Sequence, residues 1–282
     1  TAGMVDDFWF RCLTEVGRTG PDAGKGGKFL LMPPGHDGGI DAPGHFIVRA
    51  SMNDLNVLVR GFVQGDDVSG AASMMNTLRV YPYSQRAAPP ATRFVSPGGK
   101  PWSGTQPRGM AYWELLAATI NQEPVREGDR FMMAMLKPLG LEKGKPFNPD
   151  ARQTELLTEA ALVGEAMARA NAYQKRFANA AIWPDRRWEI SLGFEPGAEP
   201  EFSAPLDEYA SWFYEAVTAA KAMATKVPGV GQTYLEATKD SDGNWLDGGR
   251  TYRLRVDAHV PAKQFWSVTA YDNESRCFID NK

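Results

Sequence analysis

Glycine and proline break this chain at short intervals. The 282 residues hold 28 Gly and 20 Pro, about 17% of the chain against a usual ~12%. Glycine costs backbone entropy inside a regular element, and proline cannot donate to a ladder or helix. A chain punctuated this way folds as short elements joined by many turns, which points toward a β-rich architecture. The length allows one large domain or two ordinary ones. At that size roughly 75% of the unfolded surface can be buried, so no staple is required.

Charge and hydropathy then remove whole classes of function. Charged residues make up 23% and hydrophobic ones 43%, an ordinary globular balance that argues against disorder. The net charge is −3 and no basic run stands out, so no nucleic-acid partner is expected. No apolar stretch approaches the ~18 residues of a membrane span. Cys12 and Cys277 lie near opposite ends and form neither a disulfide framework nor a C-x-x-C pair. Two free thiols are expected, with one long-range bridge as the alternative. Thr1-Ala2-Gly3-Met4 is not an initiator sequence, and the chain stops just after a strand-like run, so both ends read as cut. Removal of a leader would place the protein in the periplasm or outside the cell, and otherwise in the cytoplasm.

The spacing of apolar residues predicts an α+β fold. Residues 28–96 read as β, with Phe29-Leu30-Leu31-Met32 and Phe46-Ile47-Val48 forming a hairpin. Residues 57–63 and 78–82 supply further strands, and a short helix lies over 67–76. The middle is helical: 108–121, 129–139, and a long helix starting at Asn148-Pro149-Asp150. There Asn148 is expected to cap, Pro149 lacks the amide that would go unused, and Asp150 suits the positive end of the dipole. That helix runs to about residue 177. Its small residues Ala160, Gly164 and Ala168 predict close approach of another element. A further helix covers 205–227. Residues 234–238, 251–256, 265–271 and 277–279 are short strands at the spacing of a sandwich or jelly roll, the last with an edge that lacks a neighbour. The expected division is a β-rich first domain over 1–105, a helical connection over 106–185, and a helix with a jelly-roll-like β domain over 186–282. The first and last are cut at their outer ends.

Few motifs carry chemistry. Gly24-Lys25-Gly26-Gly27-Lys28 and Gly140-Leu141-Glu142-Lys143-Gly144-Lys145 lack Walker spacing and read as turns, as does Gly229-Val230-Gly231. There is no G-x-S-x-G elbow for a serine nucleophile, and only His36, His45 and His259 could serve as base. The one metal-like cluster is His36-Asp37-x-x-x-Asp41-x-x-x-His45, a loop in which His36, Asp41 and His45 could converge. The histidine supply is small, so no metal and no cofactor are expected. Asp240-Ser241-Asp242-Gly243-Asn244 departs from a calcium loop, since its glycine falls too early and no Glu closes it. It reads as a pair of tight turns.

An ordered series of motifs resembles a known family. Asp7-Phe8-Trp9, the Gly24–Lys28 stretch, Pro33-Pro34-Gly35 and Arg60-Gly61-Phe62 are similar to one half. Gly144-Lys145-Pro146-Phe147-Asn148-Pro149-Asp150-Ala151-Arg152 resembles the central signature. Pro228-Gly229-Val230-Gly231, Asp240–Asn244, Pro261-Ala262-Lys263, Phe265-Trp266-Ser267 and Tyr271-Asp272 are similar to the other half. The chain thus resembles bacterial proteins carrying the paired domains of unknown function numbered 1254 and 1214. The resemblance implies a β-rich first domain, a helical connection and a jelly-roll-like second domain. It also implies a complete protein that extends beyond both ends, and it carries over no catalytic residue.

Two functional classes follow. One is a hydrolase acting on a small molecule or carbohydrate, with its site where helices meet the second sheet. Asp207 and Asp272 are its candidate acid–base pair, since two carboxylates in unlike environments suffice for glycoside chemistry. Arg60, Tyr81, Tyr214, Tyr252 and Trp266 are its candidate ligand-binding residues. The other is a non-catalytic β-sandwich module that binds a small-molecule ligand or assembles into a homo-oligomer. Function is expected in the second β unit, because residues 251–276 place Tyr252, Arg255, Asp257, Trp266, Tyr271, Asp272 and Arg276 on adjacent strands, where alternation makes some share a face.

Overall fold

The computed structural model describes residues 1–9, 11–36, 38–101, 103–196, 198, 204–216, 219–224, 231–263 and 265–279. The chain divides into two compact units. The first comprises residues 1–102, 118–145 and 218–221, and the second comprises 103–117, 146–217 and 222–282.

In the first unit β1 (Ala2–Asp7) is the centre of an antiparallel sheet between β2 (Cys12–Gly17) and β5 (Leu55–Arg60). Its central place explains why Met4, Val5, Asp6 and Asp7 are all buried. Sequence periodicity misses β1 and β2, because buried acids interrupt the apolar pattern that marks a strand. Gly17 ends β2 at φ 100°, and a Cβ there would lie 2.2 Å from the Thr1 carbonyl oxygen, so only glycine fits. Asp22 then folds the following loop, accepting the amides of Gly17 at 2.7 Å and Gly26 at 3.3 Å.

β3 (Lys28–Met32) and β4 (His45–Arg49) pair in parallel, Lys28 opposite His45 and Met32 opposite Arg49. This corrects the expected hairpin. The connection over 33–44 has the dozen or so residues that a parallel crossover needs. It tucks Ala42 against Leu30 and Met32, with Ile40 and Tyr83 packed alongside. β5 ends at Arg60, earlier than expected, and residues 78–82 form no strand. Helix α1 (Val68–Met75) forms where expected, with the Asp67 carboxylate accepting the Gly70 amide. Helix α2 (Met110–Gln122) contributes its last residues to this unit. Its terminal carbonyls are capped by Lys143 Nζ, which donates to Ile120, Asn121 and Glu123 at 3.2, 2.9 and 2.7 Å, as a cation at a helix C-terminus favours. The Glu123 carboxylate accepts the amides of Asn53 and Asp54. Helix α3 (Arg130–Leu136) passes into a 3-10 turn that ends at left-handed Gly140.

The second unit is built around α4 (Ala151–Tyr173). Its cap is Asp150, not Asn148. Asp150 accepts the Gln153 amide while Gln153 Oε1 accepts the Asp150 amide, a reciprocal capping box. One face of α4 buries Leu157, Asn171 and Ala172, packs against α5 (Leu206–Glu215), and takes the Trp113 indole on the Leu157 carbonyl at 2.7 Å. The small residues do not serve that packing. Ala160 and Gly164 lie on the exposed side, and a Cβ at Gly164 would meet nothing within 4 Å. The expected helix over 205–227 stops at Glu215, with one further turn over Lys221–Ala224. Residues 217–218 and 225–230 fall outside the described residues. β6 (Glu189–Ile190) pairs antiparallel with β7 (Leu235–Glu236). Residues 251–256 and 265–271 form no ladder among the described residues. Instead, Tyr271 bridges Phe278, and the Ile279 amide donates to the Ala270 carbonyl at 3.1 Å. The 277–279 segment therefore has a neighbour along one side. Mixed helix and antiparallel sheet make the fold α+β.

Candidate functional site

The second unit gathers its charged side chains in a crevice lined by Arg108, Glu165, Arg169, Tyr214, Glu274 and Arg276, with Thr105 and Asn273 at its margin. Two elements supply most of its charge. Glu165 and Arg169 stand one turn apart on α4, so they share a face. Glu274 and Arg276 come from the tight turn between Tyr271 and Phe278. That turn is held by Asp272, whose Oδ2 accepts the Ser275 amide at 2.7 Å and its hydroxyl at 2.6 Å. Those bonds hold the Asp272 carboxyl below its ordinary range. Arg276 sits at φ 57°, a left-handed backbone costly for a non-glycine residue and frequent at functional sites.

Arg108 grips Glu165 in a bidentate fork, Nε to Oε2 at 2.9 Å and Nη2 to Oε1 at 2.7 Å. Glu274 divides its two oxygens between guanidiniums, Oε2 to Arg108 at 3.1 Å and Oε1 to Arg169 at 2.8 Å. Arg169 and then Arg108 hold its carboxyl below the usual range. Arg276 is different. It donates to the Phe213 carbonyl and lies 5.3 Å from the Phe213 ring and 5.6 Å from that of Tyr214. No carboxylate pairs with it among the described residues, and its buried Nε has no hydrogen-bond partner there. Burial lowers its pKa, with Tyr214 opposing. Tyr214, itself buried, accepts from Gln106 Nε2 at 2.7 Å. The buried Oε1 of Gln106 is left without a partner. Burial also raises the Tyr214 phenol.

A second cluster lies in the same unit. The fully buried Lys175 ammonium donates to Glu215 at 2.7 Å, Glu236 at 2.9 Å and the Ala172 carbonyl at 3.1 Å. Ser211 Oγ donates to the same Glu215 oxygen at 3.0 Å. Burial, then the neighbouring Glu236, pushes the Glu215 carboxyl up to about 9. Burial works against the Lys175 charge, but Glu215 and Glu236 outweigh it and raise its pKa. Glu215 therefore keeps its proton at neutral pH.

The sequence candidates fall in both units. Tyr214 is in the crevice wall. Asp272 is exposed and holds the turn that presents Glu274 and Arg276. Asp207 is exposed at the start of α5, and its carbonyl accepts Asn171 Nδ2 at 2.6 Å. Tyr252 is exposed and accepts the Asp247 amide at 2.8 Å. Trp266 is 54% exposed. Arg60 ends β5 and Tyr81 precedes a 3-10 turn, both in the first unit. In that unit His45 contacts the Tyr83 ring edge-on at 5.7 Å, the Asp41 carbonyl accepts the Tyr83 hydroxyl at 3.4 Å, and the His36 carbonyl accepts from Arg49. Asp37 lies outside the described residues, and no metal-holding group occurs among the described ones. Neither cysteine forms a disulfide among the described residues; Cys12 is buried and Cys277 half-buried. Sequence reasoning did not single out Arg108, Glu165, Arg169 and Glu274, nor Lys175, Glu215 and Glu236. The i, i+4 pair Glu165 and Arg169 was legible, but its partners come from distant segments.

No helix among the described residues is long and apolar enough to cross a membrane. No curated protein matches the chain. Among solved structures it is similar to the VPA0106 protein from Vibrio parahaemolyticus, at 16% identity and a TM-score of 0.53, over 88% of this chain and 56% of that one. The chain thus spans little more than half the length of that protein, and the likeness speaks for the fold alone. Residues 1–82 match the model described as Protein of unknown function (DUF1254), and residues 231–282 match Protein of unknown function (DUF1214). The chain therefore matches, toward its two ends, the models of both paired domains that its motifs resemble.

Proposed function

We propose that the second unit is a ligand-binding module whose small-molecule ligand occupies the crevice at Tyr214 and Arg276. The observation that carries this reading is the unpartnered buried Nε of Arg276, a residue of the crevice wall. Leaving such a donor unmade is costly in a folded protein, and a ligand with an acceptor satisfies it. Jelly-roll packing of the C-terminal region belongs to the same proposal. It is supported by Tyr252, Leu254 and Val256, exposed apolar residues that alternate with Arg253 and Arg255.

A hydrolytic role is the second reading. Its support is Glu215, which holds a proton at neutral pH as a general acid must. Both carboxyl groups of that cluster are taken up by the one buried Lys175 ammonium, however, at 2.7 and 2.9 Å, and both are themselves largely buried, which leaves neither open to a substrate. The binding reading is therefore the better supported.

The test is a thermal-shift survey of short polar organic molecules against the native protein and Arg276→Gln. The proposal expects at least one compound to raise the Tm of the native protein and not that of the variant. Equal shifts in both proteins for every active compound, or no shift at all, refute it.

A further inference from the structure

We propose that the ligand of this crevice is a short carboxylate, and that Glu274 occupies its position until the ligand displaces it. This rests on the ligand-binding reading above and names the class of molecule bound.

The argument starts from charge. Three guanidiniums, Arg108, Arg169 and Arg276, face two carboxylates, Glu165 and Glu274. The two acids are not equivalent. Glu165 is held by the bidentate fork of Arg108, and its side chain is only 10% exposed. Glu274 is 59% exposed and makes one contact to each of two arginines. Such exposed ion pairs are weak, so exchange for another carboxylate meets little resistance.

A ligand carboxylate entering at that point takes over the Arg108 and Arg169 donors that Glu274 releases. It also brings a negative charge and an acceptor to the guanidinium of Arg276, which pairs with no carboxylate of the described residues and whose Nε is unsatisfied. Guanidinium is the group best matched to a carboxylate in geometry and charge. As it stands the crevice has no room for even a water molecule, so a ligand gains its space only as Glu274 swings out, which limits it to a few heavy atoms. Glu274 stands on the turn held by Asp272 and Ser275, so its side chain can swing out while the turn keeps Arg276 in place.

A built-in competitor lowers apparent affinity by the fraction of time it vacates the site. Removing it must tighten binding, whereas removing a true binding group must weaken it. The experiment is calorimetric titration with glycolate, glycolamide and inorganic phosphate, on the native protein, Glu274→Gln and Arg276→Gln. The proposal expects glycolate to bind the native protein, roughly tenfold or more tightly to Glu274→Gln, and at least tenfold more weakly to Arg276→Gln. Glu274 is exposed, so Glu274→Gln is expected to keep the fold, checked by an unchanged circular dichroism spectrum, and the gain in that variant decides the matter even if Arg276→Gln unfolds. Glycolamide binding as tightly as glycolate, or phosphate binding more tightly, overturns the carboxylate assignment and leaves the crevice as a binding site. No heat from any probe in either the native protein or Glu274→Gln overturns the assignment and removes support from the binding reading with it.

Discussion

Asp6 is the carboxylate whose burial has the most measurable consequence. It sits in the central strand of the first unit, 2% exposed, opposite Cys12 on β2, and its Oδ2 accepts the Ala219 amide at 3.0 Å. Burial pushes its carboxyl up from the ordinary 3.8 to about 6, with the Ala219 bond opposing and Asp7 and Glu15 adding to the rise. The native state therefore holds a proton that the unfolded chain releases between pH ~4 and ~6. Stability from this group is full below the unfolded value, falls as pH rises through that window, and stays low above it. The gap between 3.8 and about 6, at ~1.4 kcal/mol per pH unit, amounts to about 3 kcal/mol at pH 7. Asp6→Asn keeps an acceptor for Ala219 and cannot ionise. It should stabilise β1 and β2 by about 3 kcal/mol at pH 7 and by almost nothing at pH 4. Amide hydrogen exchange over residues 2–17, corrected for the intrinsic rate at each pH, should show protection rising roughly a hundredfold in the variant at pH 7. A variant equally protected relative to native at both pH values, or less protected at pH 7, would refute the reasoning.

The Lys175 cluster makes an asymmetric forecast. Glu215→Gln imitates the protonated acid and should change stability at pH 7 by less than about 1 kcal/mol. Lys175→Met removes the one buried cation that Glu215 and Glu236 both contact and should cost about 3–5 kcal/mol, both read from urea unfolding. Cys12, buried with its thiol pushed up to about 12 by burial first and by Asp6 and Glu15 next, should resist iodoacetamide until the protein unfolds. Half-buried Cys277 should label first, and peptide mass spectrometry distinguishes the two. Gly164→Ala should raise stability by about 0.5–1 kcal/mol, because the position is helical, exposed and open. A lower Tm in that variant would mean that something does approach there.

Local chemistry was legible without any structure. The Asp67 start of α1, the segments of α2 and α3, and the Pro149-Asp150 start of α4 are written in residues a few positions apart, because capping and helix periodicity act over one or two turns. The paired domain motifs were equally plain in their order along the chain. Even here a neighbour decided the detail: Asp150 outcompeted Asn148 as cap because Gln153 stands three residues on to close the box.

What the sequence alone determined, then, was composition class, α+β character, most helix positions and the family resemblance, all of which depend on short-range pattern or ordered motifs. Tertiary structure decided the rest. Pairing direction between β3 and β4 depends on how a twelve-residue crossover packs, and no local signal distinguishes it from a hairpin. The burial of Asp6 follows from the strands on either side of it. The crevice joins Arg108, Glu165, Arg169, Glu274 and Arg276 from three separate stretches of chain, and its electrostatics exist only once α4 and the 271–278 turn have brought those charges within hydrogen-bonding distance. Charge interactions fall off with separation in space, not along the chain, so only the folded second unit could show which guanidinium lacks a carboxylate of its own.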